Sequence, residues 1–148
     1  MSTIFSTYDI RGRAGDTLSA EQAWNVGKAF AEWLPEDGAI VITKTPETNE
    51  PILHALVEGM LLQGRDVLDG GDGGKESLTS YLNEEKAVGG VYVRHEAADN
   101  LEIITLLDRS GVDVTDQNGL TQISQLVMSG NLQPATEKGS IHSVKSRQ

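Results

Sequence analysis

The segment Gly89 to Asn100, GGVYVRHEAADN, sets Arg94, His95, Glu96 and Asp99 directly after a short apolar stretch. A guanidinium, an imidazole and two carboxylates so close together can hold an anion, move a proton or place a fixed charge opposite a basic neighbour. Three further polar stretches offer partners. Tyr8-Asp9-Ile10-Arg11-Gly12 lies near the N-terminus, Thr43 to Asn49 carries Lys44, and Gly70 to Lys75 carries Asp72. Arg11, Lys44, Lys75, Arg94 and His95 are therefore the candidate anion ligands, with Asp9, Asp72, Glu96 and Asp99 as candidate acids. Taken singly, each reads as a solvated loop charge; only convergence in the fold would make a site.

Convergence needs elements that bring those loops to one edge. Ser19 with Gln22 forms a capping-box pattern, and Ala23, Trp24, Val26, Phe30, Ala31, Trp33 and Leu34 follow at helical spacing, which predicts a helix over 20–34. The run Ala39-Ile40-Val41-Ile42-Thr43 is apolar and β-branched throughout, as in a strand buried on both faces. Pro51 suits the first turn of a second helix, where its missing amide costs nothing, and Ile52, Leu53, Leu56, Val57, Met60 and Leu61 give that helix an apolar face before Gly64 closes it. A short strand over 66–69, a GGDGG loop, a short helix over 76–82, a strand over 88–93, an extended run over 101–107 and a helix over 116–129 complete the pattern.

Strands alternating with helices require crossovers and hence a parallel core with helices on both faces. The run over 101–107 follows its predecessor too soon for a crossover and should pair antiparallel. The expected fold is an α/β three-layer α/β/α sandwich with a mixed, mainly parallel four-stranded sheet over 1–130, and 131–148 as a polar tail or linker. Ligands of such sheets collect beyond the carboxyl ends of the strands, where the loops 43–49, 70–75 and 94–100 meet.

Bulk composition removes several function classes. A formal net charge of −10, from 22 acidic and 12 basic residues, repels polyanions, so nucleic acid is not an expected partner. A small phosphorylated ligand stays open, because a few local cations and backbone amides can outweigh a distant acidic surface screened over about 8 Å. The absence of cysteine closes disulfide, thiolate-nucleophile and thiolate-metal chemistry. No apolar run nears the roughly 20 residues of a membrane span, and the cytoplasm is the default expectation. His54 reads as a helix-surface residue, His142 as part of the polar tail, and Trp24 and Trp33 as packing residues.

The stretch Ile4-Phe5-Ser6-Thr7-Tyr8-Asp9-Ile10-Arg11-Gly12, followed by GDTLSAEQAWNVGKAFAEWL, closely resembles the start of the α-D-phosphohexomutases, the phosphomannomutase/phosphoglucomutase family. The likeness continues through LVEGMLLQGRDVLD, the GG-plus-strand before Arg94 and the exit KGSIHSV. It spans nearly the whole chain but covers only the first of that family's four domains. The resemblance implies that Tyr8 and Arg11 line the phosphate side of a cleft, with Lys44, Arg94 and His95 as further phosphate-binding candidates.

It also implies that Glu96 stands where the family carries a phosphorylated serine in a Thr-Ala/Gly-Ser-His-Asn-Pro loop. A carboxylate cannot return a phosphoryl group as an alcohol does without passing through a reactive acyl phosphate. The family's Gly-Arg-Asp is Thr43-Lys44-Thr45 here, which loses the planar fork of arginine. Its magnesium loop, Asp-Gly-Asp-Gly-Asp, belongs to the second domain. Asp69-Gly70-Gly71-Asp72 imitates that loop with only two carboxylates, so no metal and no cofactor is expected.

The expectation is a stand-alone, catalytically inactive domain I-like protein that retains weak phosphate or sugar-phosphate binding or serves as an interaction module. A homodimer or a missing-domain partner would cover the surface that the other domains cover in a full mutase. The alternative is one part of an intramolecular phosphotransferase, a hexose-phosphate mutase of carbohydrate metabolism, whose remaining domains lie on another chain or a longer polypeptide.

Overall fold

The computed structural model describes residues 4–130 and 132–144. The three-residue strand β1 (Ile10–Gly12) precedes helix α1 (Ala20–Trp33), whose capping box forms as expected, with Ser19 Oγ accepting the Gln22 amide and Gln22 Oε1 accepting the Ser19 amide. Strand β2 (Ile40–Lys44) leads into α2 (Glu50–Leu62), where Asn49 Oδ1 caps the Ile52 amide and Pro51 sits in the first turn. Then follow β3 (Val67–Asp72), α3 (Lys75–Glu84), β4 (Gly89–Glu96), β5 (Leu101–Leu107), α4 (Leu120–Ser129) and β6 (Ile141–Ser143). The last helix begins later than its apolar pattern suggests, because the Thr115 carbonyl collects the amides of Asn118, Gly119 and Leu120 in tight turns first.

Among the described residues the sheet has six strands in the order β1-β5-β4-β2-β3-β6, two more than the four expected. The core is as the connections require: β4, β2 and β3 run parallel, and β5 pairs antiparallel with β4. The additions are both edges. β1 pairs antiparallel with β5, and β6, inside the stretch expected to be a polar tail, pairs parallel with β3. Each is three residues long and carries little apolar pattern of its own, so the ladder offered by a longer neighbour decides it.

The two sides of the sheet are unequal. Ile40, Ile42, Val67, Val91, Val93, Ile104 and Leu106 face α1, α2 and α4, forming the main core with Phe30, Leu56, Met60 and Ile123. Residues of the opposite parity, Val41, Leu68, Tyr92 and Leu107, face Leu78, Tyr81 and Leu82 of α3. One helix therefore forms the whole third layer among the described residues.

Two local devices fix α1. At its carboxyl end the Arg65 guanidinium donates to the carbonyls of Ala31, Leu34, Glu36 and Gly38, satisfying acceptors that a helix terminus leaves open. Burial lowers the pKa of this arginine, while Asp37, Glu32 and Glu36 oppose the shift. Along its length α1 meets α2 backbone to backbone: a Cβ at Gly27 would lie 2.2 Å from the Leu56 carbonyl oxygen, and one at Gly59 would lie 2.2 Å from that of Trp24. A methyl group at either position must force the helices apart. Gly59→Ala is therefore expected to cost about 2–3 kcal/mol, read as a lowered urea midpoint with an unchanged denaturant slope.

Candidate functional site

The end of β4 is where the structure departs most from expectation. Arg94, His95 and Glu96 lie on the strand, not in a loop after it. Pairing with β5 carries the ladder through Arg94↔Ile103, His95↔Glu102 and Glu96↔Leu101. Four residues, 97–100, turn the chain, with Asn100 in the left-handed region at φ 55°, which asparagine tolerates better than most residues. Successive side chains of a strand point to opposite faces, so the site residues are divided by the sheet.

On the side of α3, one row runs Arg94, Ile103, Arg11 across β4, β5 and β1, and Glu96 follows Arg94 at the next position of the same parity. Arg11 is already engaged: Nε donates to Asp9 Oδ1 at 2.9 Å and the terminal nitrogen to Asp9 Oδ2 at 2.8 Å, a two-pronged pair. Its pKa is raised, chiefly by that hydrogen bond, with burial opposing and the charges of Asp9 and Glu96 adding. Asp9 is itself buried and also accepts from Ser6 Oγ. Glu96 Oε1 accepts the Asp99 amide at 2.8 Å, which fastens the hairpin end. The Arg94 side chain has no hydrogen bond or ion pair among the described residues. Tyr8, 66% exposed in the turn before β1, is open to solvent.

On the side of α2 stand Lys44 and His95. Lys44 Nζ donates to Asp72 at 2.7 Å; this bond leads the causes that raise its pKa, against desolvation, with the charges of Asp72, Glu50 and Asp69 adding. The lysine opens on a cavity of about 150 Å³ shared with Glu50, His54, Asp69 and Ile141, surroundings that attract a cation better than a phosphate. Asp72 reaches Lys44 because β3 continues through the glycine run: register shifts from Ile42↔Asp69 to Lys44↔Asp72, a β-bulge that uses Gly71 at φ 71°. The first three residues of the GGDGG stretch, Gly70 to Asp72, are thus strand, and Gly73 and Gly74 lead into α3. Asp69 accepts the Gly71 amide and Asp72 is paired, and no cluster of three His, Cys, Asp or Glu side chains able to hold a metal occurs among the described residues, so the magnesium role does not fit here.

Lys75 is not gathered with the other cations; it pairs with Asp113 at 2.5 Å. His54 is exposed on α2 and His142 on β6, as their positions suggested. Trp33 donates to Gln122 and stacks near Phe30, while Lys28 lies 3.8 Å over Trp24, so both indoles serve packing.

One residue of the site was not singled out from sequence. Glu102, only 2% exposed, sits opposite His95 on β5. One carboxylate oxygen contacts His95 Nδ1 and the other accepts the Asn49 amide at the start of α2, at 3.0 Å. The loop before α2 is stitched to β4 by further bonds: the His95 amide donates to Thr45 Oγ1 and Thr48 Oγ1 donates to the Val93 carbonyl. The signal was legible in LEIITLL, where one acid shares the core-facing parity of Ile104 and Leu106.

With this geometry in view, the comparisons with known proteins settle the family. The profile of phosphoglucomutase/phosphomannomutase, alpha/beta/alpha domain I, matches residues 2–132. The chain belongs to this family. Phosphomannomutase of Salmonella typhimurium is 30% identical, with 98% of this chain and 32% of that protein covered. Among solved structures, a protein of Thermus thermophilus described as a phosphomannomutase superposes with TM-score 0.78 at 18% identity, over 98% of this chain and 34% of that one. A phosphoglucomutase/phosphomannomutase family protein of Burkholderia thailandensis gives TM-score 0.75 at 22% identity, over 95% and 32%. The chain thus spans about a third of the length of these relatives. The three-layer fold is the family's domain I fold.

The arrangement sets carboxylates against most of the cations expected to bind phosphate. Releasing one should be measurable: in Asp72→Asn, inorganic phosphate titrated under NMR should perturb the Lys44 amide about two- to fivefold more strongly than in the parent, the worth of one exposed ion pair. An unchanged titration would remove Lys44 from the phosphate ligands.

Proposed function

We propose that this chain is a phosphohexomutase domain I that handles phosphate or sugar phosphate by binding, without the serine-borne phosphoryl transfer of its family. The observation that carries this reading is the composition of the β4 end: residues 89–100 contain neither serine nor threonine, and Glu96 stands at the position where the resemblance places the serine. Its carboxylate accepts the Asp99 amide and adds to the field felt by Arg11. A fixed negative charge there answers the arginine much as a phosphorylated side chain would. Arg94, whose side chain has no carboxylate partner among the described residues, is the residue best left to meet a ligand phosphate. Tyr8 and Arg11 flank the same region in sequence and register.

A second reading has its own support. The family profile is that of one domain, and the matched relatives are about three times longer, which fits a domain completed by others in a working hexose-phosphate mutase. The two readings separate by assay. Under the first, the purified chain interconverts neither glucose 1-phosphate and glucose 6-phosphate nor the mannose pair, as followed by ³¹P NMR, while sugar phosphate shifts the amides of Arg94 and Arg11. Under the second, turnover appears when the remaining domains of a phosphomannomutase are supplied. Turnover by the chain alone overturns the first reading.

A further inference from the structure

Glu102 poses an energetic question. Burying a carboxylate beside an imidazole stabilises little, since well-packed apolar residues usually do as well or better in the same space. The pair nevertheless fixes His95 closely. Its amide is tied to Thr45, its Nδ1 to Glu102, and Glu102 in turn to the Asn49 amide. Nε2 has no hydrogen-bond partner among the described residues and is not sealed from water, so this nitrogen reaches solvent through a side chain that is 20% exposed. A carboxylate on Nδ1 holds the proton there and directs the Nε2 lone pair outward, the arrangement in which an imidazole acts as base or nucleophile.

We propose that His95 Nε2 is a phosphoryl acceptor, oriented by Glu102 and charged by small donors with a good leaving group, such as a phosphoramidate or an acyl phosphate. This rests on the phosphate-handling part of the function proposed above, and it places the accepting nitrogen on the α2 face of the sheet, opposite the face that carries Arg94 and Glu96. With phosphoramidate as donor, the Nε2 lone pair forms the new N–P bond as the P–N bond to ammonia breaks. The donor is already protonated on nitrogen and releases neutral ammonia. The positive charge gained by the ring is answered by the Glu102 carboxylate, which keeps the Nδ1 proton in place.

The test uses potassium phosphoramidate on the full chain, with site mapping by mass spectrometry above neutral pH, where phosphohistidine survives, and ³¹P NMR of the intact protein. His54 and His142, both exposed, serve as internal references. His95 should be labelled at least about tenfold faster than either, and Glu102→Gln should remove most of that advantage. Glu102→Asp, which shortens the reach but keeps the charge, should act in the same direction if the glutamine variant does not fold. Labelling of His95 no faster than the references, or an advantage that survives in both variants, overturns the proposal. Mutase turnover by the chain alone would overturn the function proposed above without altering this comparison of rates.

Discussion

A buried carboxylate organises the carboxyl edge of this sheet. Glu102 joins three pieces of the chain that are distant in sequence: its own strand β5, His95 on β4 and the start of α2 at Asn49. A carboxyl group this well covered requires partners for its oxygens, because leaving one unmet costs about 1–3 kcal/mol or more. The loop 45–49 is consequently held against β4, and the strand cannot slip by one residue without turning His95 and Glu102 away from each other's face. The arrangement of every site residue on β4 follows from that register.

The same register explains why the candidate cations do not form a single cluster. Arg94 and His95 are neighbours in sequence and are parted by the pleat, one toward α3 and the other toward α2. The charges then find local partners: Asp9 for Arg11, Asp72 for Lys44 and Asp113 for Lys75. A net charge of −10 makes such internal pairing easy to satisfy, since 22 acids are available to 12 bases. A phosphate approaching Arg11 or Lys44 competes with a carboxylate already in place, whereas Arg94 has no such competitor among the described residues.

Much of the architecture was legible in the sequence. The capping box at Ser19 and Gln22, the position of Pro51, and the continuous apolar run before Lys44 gave α1, α2 and β2 by local rules alone, and the short interval between β4 and β5 required their antiparallel pairing. The resemblance centred on YDIRG pointed to the domain that the profile match shows. What stayed hidden depended on distant partners. β1 and β6 are strands only because β5 and β3 present open edges, and β4 extends past Val93 because Leu101 to Ile103 continue its ladder. The bond between Lys44 and Asp72 bridges 28 positions and required a bulge at the glycine run that composition suggested was a loop. Glu102 was visible as a lone acid in an apolar strand, but its partners were set by tertiary structure.

The close approach at Gly27 and Gly59 has a mechanical side. With each backbone resting against the other's carbonyl oxygens, α1 and α2 have no cushion of side chains across which one could slide or tilt alone. A push on the first turn of α2, where Asn49 holds Glu102, must travel into α1 and reach the far end of the domain at Arg65, so the pair behaves as a stiff lever with its handle at the carboxyl edge.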